Sequence, residues 1–263
     1  DRSLVGSEMC IRDSPYFNLR FYNILYFMNI RLYHPNSIVE NTTKLLSKEH
    51  GHYVSNVMRL KLGSRINFFN KDGEWESEIT LIQKDKVEVK FTKKIKQASN
   101  GSKIELAICL VKKNPMETIL QKSTELGVSK IIPIVSERTE VKDLNYERAR
   151  KIVIEATEQS NQLNPPEISE VKKLKDFLKN LDSSTKLLFA DVNSQTILKN
   201  DNIKKGEALS ILIGPEGDFS PAERESILTV PDVKSFTISK NILRSDTAVI
   251  TAISLVNFVY FNS

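Results

Sequence analysis

Two short segments near the C-terminal end carry the residue types that a small-molecule site needs. Gly214-Pro215-Glu216-Gly217-Asp218-Phe219-Ser220 follows the apolar run Leu209-Ser210-Ile211-Leu212-Ile213, and Ile242-Leu243-Arg244-Ser245-Asp246-Thr247-Ala248 opens a second apolar run. Glycines in a turn let backbone approach a ligand closely. Arg244 brings a permanently charged, planar donor fork, and Glu216 and Asp246 bring carboxylates able to accept a proton. A salt bridge from Arg244 to either carboxylate is the competing use of these charges, and a plain strand-to-helix turn is the competing use of the glycines. No Gly-Lys-Ser/Thr follows and no Gly-x-Gly-x-x-Gly occurs, so nucleoside triphosphate and dinucleotide loops lack their parts.

Such turns are held by alternating strands and helices, which place ligands at the carboxyl edge of a parallel sheet. The spacing predicts that arrangement from residue 99 onward: strands over 104–111, 130–135, 186–190 and 209–213, and helices starting at Asn114, over 146–162 and around 172–180. Asn114 is expected to cap its helix, with Pro115 at the first position and Gly127 past the end. Ser220, Pro221 and Glu223 spell a capping box. The uncharged stretch 247–261 is shorter than a membrane span needs and reads as a core or dimer-interface helix.

Upstream, residues 28–98 read as β-rich, with strands over 64–69, 74–82 and 86–91 and a hairpin turn at Asn70-Lys71-Asp72-Gly73. A small barrel or curled sheet is expected, preceded by a helix over 48–60. Trp75 is expected to pack in it rather than stack on a base. The polar stretch 96–102 sets a domain boundary near 98. Residues 1–27 are aromatic-rich, lack the small-residue cleavage site of a secretory signal, and are expected to be a foreign or disordered extension ahead of a start at Met28.

Charged residues make up 27% of the 263 and apolar ones 40%, a balance that argues against disorder and against a multi-span membrane protein. The net charge of +5 modestly favours a polyanionic partner. Cys10 and Cys109 form neither a disulfide framework nor a zinc site, and the pattern fits a reducing cytosol. His50 and His52, two apart, do not share a helical face, and no metal is expected. Arg31, His52, Arg59 and Lys61 form a candidate phosphate-binding patch. Glu117, Gln121, Lys122 and Glu125 recur at helical spacing and are expected on one face.

The Gly-Pro-Glu-Gly turn together with the Ile-Leu-Arg-x-acidic-Thr-Ala segment resembles the ribosomal RNA small subunit methyltransferase E family, a branch of the SPOUT methyltransferases. So do Lys113 with Met116-Glu117, the run Gln121-Lys122-Ser123-Thr124-Glu125-Leu126-Gly127-Val128, Ser136-Glu137-Arg138, and Glu155-Ala156-Thr157-Glu158-Gln159-Ser160, in the family's order. The chain departs from the pattern at Asp218, where glycine is usual, at Ser245 and Asp246, usually Thr and Glu, and at Asn161-Gln162, often Gly-Arg.

The resemblance implies an α/β protein: a PUA-like β-barrel domain over 28–98, then a SPOUT methyltransferase domain over 99–263 with a C-terminal trefoil knot. It implies a cytoplasmic homodimer, neither membrane-bound nor metal-dependent, that methylates uridine N3 in 16S ribosomal RNA from S-adenosylmethionine. The alternatives are another RNA position, such as a ribose 2′-hydroxyl, or RNA binding without catalysis. Cofactor contacts fall to Phe189, Ala190 and Asp191, to Ile213, Gly214, Pro215, Glu216 and Gly217, and to Ile238, Ile242, Leu243, Arg244, Thr247 and Ala248. RNA contacts fall to Arg31, His52, Arg59, Lys61, Lys113, Gln121, Lys122, Glu125, Arg138, Gln159 and Ser160. The N3 proton must leave and the resulting charge be stabilised: Arg244 is the stabilising cation, and Glu216, Asp246 or a water is the base.

Overall fold

The structure, a computed structural model, describes residues 30–83, 86–98 and 102–262. The expected extension, its boundary at Met28, and Ser99-Asn100-Gly101 lie outside the described residues. Contacts among the described residues divide the chain into two compact units, one built on residues 30–32, 40–67 and 76–93, the other on residues from 94 onward with 33–39 and 68–75.

Strands β1 (Arg31–Tyr33), β2 (Thr43–Leu45), β3 (Arg65–Asn70), β4 (Gly73–Gln83) and β5 (Lys86–Gln97) form a five-stranded sheet in the order β1-β3-β4-β5-β2. Val87, Val89 and Phe91 alternate into its buried face, the period-two pattern of a half-buried strand. The expected hairpin is present, with the Asp72 N–H donating to Asn70 Oδ1 at 2.9 Å. Trp75 is 4% exposed, so packing is its role here. Strand β5 runs past residue 91 to Gln97, so Lys96 and Gln97, read as linker, are strand: ladder pairing overrides their turn-forming composition. The expected helix over 48–60 is shorter. Helix α1 (Lys48–His52) passes into a π-helical turn at Tyr53–Val57 around fully buried Val54, and Arg59 at φ 52° stops it.

The second unit runs β6 (Ile104–Cys109), α2 (Lys113–Glu125), β7 (Lys130–Val135), α3 (Tyr146–Gln159), β8 (Glu167–Ile168), β9 (Lys172–Lys173), α4 (Leu174–Lys179), β10 (Thr185–Ala190), β11 (Ala208–Ile213), α5 (Pro221–Leu228), β12 (Lys234–Phe236) and α6 (Ser245–Asn262). The sheet order is β12-β10-β11-β6-β7-β8, with β9 also on β7, and these pairings are parallel. Side chains alternate between two cores. Ile104, Leu106, Ile108, Leu188, Leu209 and Ile211 join residues of α2, α3 and α6, whereas Ala107, Cys109, Leu187, Phe189 and Leu212 join α4 and α5. A sheet covered on both faces explains why its strands read as continuous apolar runs.

Helix α2 corrects one expectation. Its N-cap is Lys112, not Asn114, and the first helical bond runs from the Met116 N–H to the Lys112 carbonyl at 3.0 Å. Pro115 sits inside the first turn, where a missing N–H costs nothing. Its C-terminal end is as expected, with Gly127 left-handed at φ 84°. Among the described residues no helix is long and apolar enough to cross a membrane.

Candidate active site

Because β12, β10 and β11 are adjacent and parallel, the loops that leave them open at one edge of the sheet. These are the loops from Asp191, from Gly214 and from Thr237. The middle one is a tight turn, closed by the Asp218 N–H donating to the Pro215 carbonyl at 3.0 Å. A side chain at Gly214 would be crowded: an added Cβ would stand 3.1 Å from Phe219 Cε2 and 3.3 Å from its Cδ2, so the ring would have to give by a few tenths of an ångström. Phe219 is itself fixed against Phe189, ring centroids 5.7 Å apart. The glycine thus serves packing within the turn, a reason the sequence does not display. Asp218 stands at φ 57°, the left-handed region where glycine is favoured and Asp is tolerated, which accounts for this departure from the family pattern.

The turn ends in the expected capping box. Glu223 N–H donates to Ser220 Oγ at 3.3 Å and Glu223 Oε2 accepts the Ser220 N–H at 3.0 Å. Its other oxygen accepts the Glu137 N–H at 2.8 Å, and the neighbouring Arg138 donates through Nη1 to the Gly217 carbonyl at 2.9 Å. Arg138, expected on RNA, is here a clasp on the turn.

Asp191 is the other surprise. Its side chain is fully buried, Arg224 approaches it through Nε at 3.1 Å and Nη2 at 2.7 Å, and Ser235 Oγ and the Asn193 N–H also donate to it. Burial pushes this carboxyl up, but the hydrogen bonds from Arg224, Asn193 and Ser235 and the guanidinium charge outweigh it and hold the pKa below the usual range. Its carboxylate oxygens are spent within the chain, its N–H donates to the Phe236 carbonyl at 3.0 Å and its carbonyl accepts the Ser194 N–H at 3.1 Å, so a ligand finds only the second lone pair of that carbonyl. Arg224 and Ser235 escape sequence reading because nothing in their spacing links them to Asp191.

The reactive candidates are differently disposed. Arg244 is exposed and, among the described residues, its side chain makes no ion pair or hydrogen bond; the competing salt bridges to Glu216 and Asp246 do not form. Its carbonyl accepts the Ala248 N–H at 2.8 Å, making Arg244 the cap residue of α6. Glu216 is exposed and, among the described residues, likewise unpartnered. Asp246 is half-buried and accepts the Thr247 N–H at 2.9 Å. Ile238 and Leu243 are half-buried against the core, Ala248 is buried, Thr247 is exposed, and Ile242 is 92% exposed. Bare peptide at the turn, apolar surface at Ile238, Ile242 and Leu243, and an unpaired guanidinium suit a ligand that joins an apolar ring to charged ends.

Helix α2 carries Glu117, Gln121, Lys122 and Glu125 at the expected helical spacing, and part of this charged face is paired within the chain. Glu117 receives Arg148 of α3 through two hydrogen bonds, at 3.2 and 3.1 Å, and Lys122 pairs with Glu125 at 2.8 Å. Lys113 and Gln121 are exposed, as is Gln159. Ser160 Oγ accepts from Gln162, and Asn161 is left-handed at φ 58°, a reason for glycine at that position in the family. In the first unit Arg31 is half-buried, Arg59 and Lys61 lie in the segment after the π turn, and His52 Nδ1 meets Asn56 Nδ2 at 2.8 Å.

Comparison with known proteins gives the same reading. An RNA methyltransferase domain model matches residues 97–257 and an RNA methyltransferase PUA domain model matches residues 46–92. The ribosomal RNA small subunit methyltransferase E of Rickettsia conorii is 34% identical over 87% of this chain and 95% of its own length. Its Bacillus subtilis counterpart is 30% identical over 84% and 92%. The crystal structure of the Neisseria gonorrhoeae ribosomal RNA small subunit methyltransferase E, bound to S-adenosylmethionine, superposes with a TM-score of 0.81 at 26% identity, covering 88% of this chain and 98% of that one. A PUA-like domain, a methyltransferase domain and these relatives together establish that the chain belongs to the ribosomal RNA small subunit methyltransferase E family of S-adenosylmethionine-dependent enzymes.

Proposed function

We infer that the protein methylates N3 of a uridine in 16S ribosomal RNA. The observation that carries the assignment of roles is Arg244, exposed and, among the described residues, without a side-chain partner, on the segment that leaves the same sheet edge as the Gly214 turn. Bound at this edge, S-adenosylmethionine supplies an electrophilic methyl group, and the chain must do the rest. Ile238, Ile242 and Leu243 would face its adenine, and the backbone from Phe189 to Asp191 and from Ile213 to Gly217 would meet its polar groups, with Thr247 and Ala248 completing the wall. Uracil N3 loses its proton during transfer, leaving negative charge on the flanking oxygens, which the Arg244 guanidinium stabilises. Glu216, unpartnered among the described residues, is better placed to take that proton than Asp246, whose Oδ1 already accepts the Thr247 N–H at 2.9 Å.

The same reading assigns RNA contacts to Arg31, His52, Arg59, Lys61, Lys113, Gln121 and Gln159. It extends to Arg138, Lys122, Glu125 and Ser160, whose side chains, like that of His52, also have partners within the chain. It divides the protein at residue 98, places it in the cytoplasm with the ribosomes, and makes it a homodimer. The exposed apolar residues Leu255, Phe258 and Phe261 of α6 support the last point. It also threads α6 through the preceding loops as a trefoil knot.

The test combines calorimetry with S-adenosylmethionine and mass spectrometry of unmodified 16S RNA and of small subunits after incubation with enzyme and cofactor. Cofactor binding and a new N3-methyluridine are expected. Absence of binding overturns the methyltransferase reading, and methylation of a ribose hydroxyl overturns the choice of N3.

A further inference from the structure

Glu223 and Arg224 are consecutive on the first turn of α5, yet they reach in different directions. Glu223 accepts the Glu137 N–H from the loop after β7, beside the residue whose guanidinium holds the Gly217 carbonyl. Arg224 grips the buried carboxylate of Asp191 in the loop after β10. That carboxylate also receives Ser235 of β12, the strand that leads to the Arg244 segment. A capping box needs only Ser220 and Glu223. The additional bonds tie the loops after β7 and β10, and the strand before the Arg244 segment, to the helix that begins where the Gly214 turn ends.

We propose that Arg224 and Glu223 are positioning residues that brace the cofactor site, setting the separation of the loops after β10, β11 and β12. The proposal rests on the methyltransferase reading above. The cofactor is held between these loops, so their spacing matters to its binding before any effect on the reacting atoms. The planar guanidinium makes two bonds to Asp191, whereas lysine in its place keeps the charge but makes a single-point contact and loses the fork geometry. With Asp191 fully buried and Arg224 only 35% exposed, the pair is shielded from water, and its geometry is fixed by four donors rather than by one surface contact.

Arg224→Lys, Glu223→Gln and the milder Ser235→Ala separate bracing from mere stability. For each, calorimetry reads the S-adenosylmethionine Kd, steady-state kinetics read KM for cofactor and kcat at saturation, and thermal denaturation reads Tm. A roughly tenfold rise in Kd and cofactor KM is expected for Arg224→Lys, the effect of losing one charge-assisted hydrogen bond, with kcat at saturation little changed. Smaller rises of the same kind are expected for the other two. A lowered Tm or active fraction with Kd unchanged in all three variants overturns the brace and leaves the methyltransferase reading standing. Failure of the wild-type protein to bind S-adenosylmethionine overturns that reading, and the brace with it.

Discussion

Phe219 lies against Gly214 so closely that a methyl group added at that glycine would stand 3.1 Å from the ring. The ring cannot retreat, because its other contacts are Phe189 and the core between the sheet and α5. Gly214→Ala is therefore expected to destabilise the fold by about 1–3 kcal/mol, the range for overpacking a filled site. It should also weaken cofactor binding by shifting the turn. Asp218→Gly, which removes a side chain from a left-handed position at φ 57°, should change stability by less than about 1 kcal/mol, whereas Asp218→Val should cost about 1–2 kcal/mol. Urea denaturation of the three variants checks this ordering.

Arg244→Ala should lower kcat about 10²- to 10³-fold, as loss of a donor to developing charge does, while the Kd for S-adenosylmethionine changes much less. Steady-state kinetics paired with calorimetry measure both. A variant with normal turnover would mean that Arg244 has another role.

Asp191 gives a pH signature. Its folded pKa is held below the unfolded value of about 3.9. Its contribution to stability is therefore fully present above that value and is lost as pH falls through the folded one. Asp191→Asn should be less stable than wild type at neutral pH, and the gap should narrow as the pH drops below about 4. Denaturation at pH 7 and pH 3 compares them. A gap that is the same at both values would show that the carboxylate charge is not what Arg224 holds.

Much of this was legible in the chain. The parallel domain announces itself because strands buried on both faces must be apolar throughout, and the Ser220-Pro221-Glu223 cap is local enough to be spelled out. The short strands β8, β9 and β12 were not expected. They are two or three residues long, include polar sequence such as Lys172–Lys173, and exist only because a neighbouring strand pairs with them. Asn114 does not cap its helix because proline is tolerated throughout a first turn, so the position of Pro115 does not fix the start. At the site, the turn and Arg244 could be read from local motifs, but not whether Arg244 would be taken up by a salt bridge. The Arg224–Asp191 pair, separated by 33 positions, could not, since it forms only once β11 and the helix that follows it are laid beside β10.

Phe258 is 68% exposed on α6, and Phe261 is 72% exposed. If this stripe meets a second copy of the chain, Phe258→Asp should convert the dimer to monomer, with folding of the isolated chain preserved because the residue lies outside its core. Sedimentation velocity and circular dichroism read the two effects. A wild-type monomer, or a variant that still dimerises, would remove the stripe from the interface.

Arg244 caps the helix whose far end carries Phe258. Fourteen positions separate them, about four helical turns, so both stand near the same azimuth of one rod roughly 20 Å apart. Along that side the surface changes from Thr247 through Ser254 to Leu255, Phe258 and Phe261, polar at the Arg244 end and apolar at the other. Helical phase thus links the two ends. One residue inserted between them would rotate Phe258 by about 100° relative to Arg244, so the length of this segment, and not only its composition, sets how the cap and the apolar stripe are oriented to one another.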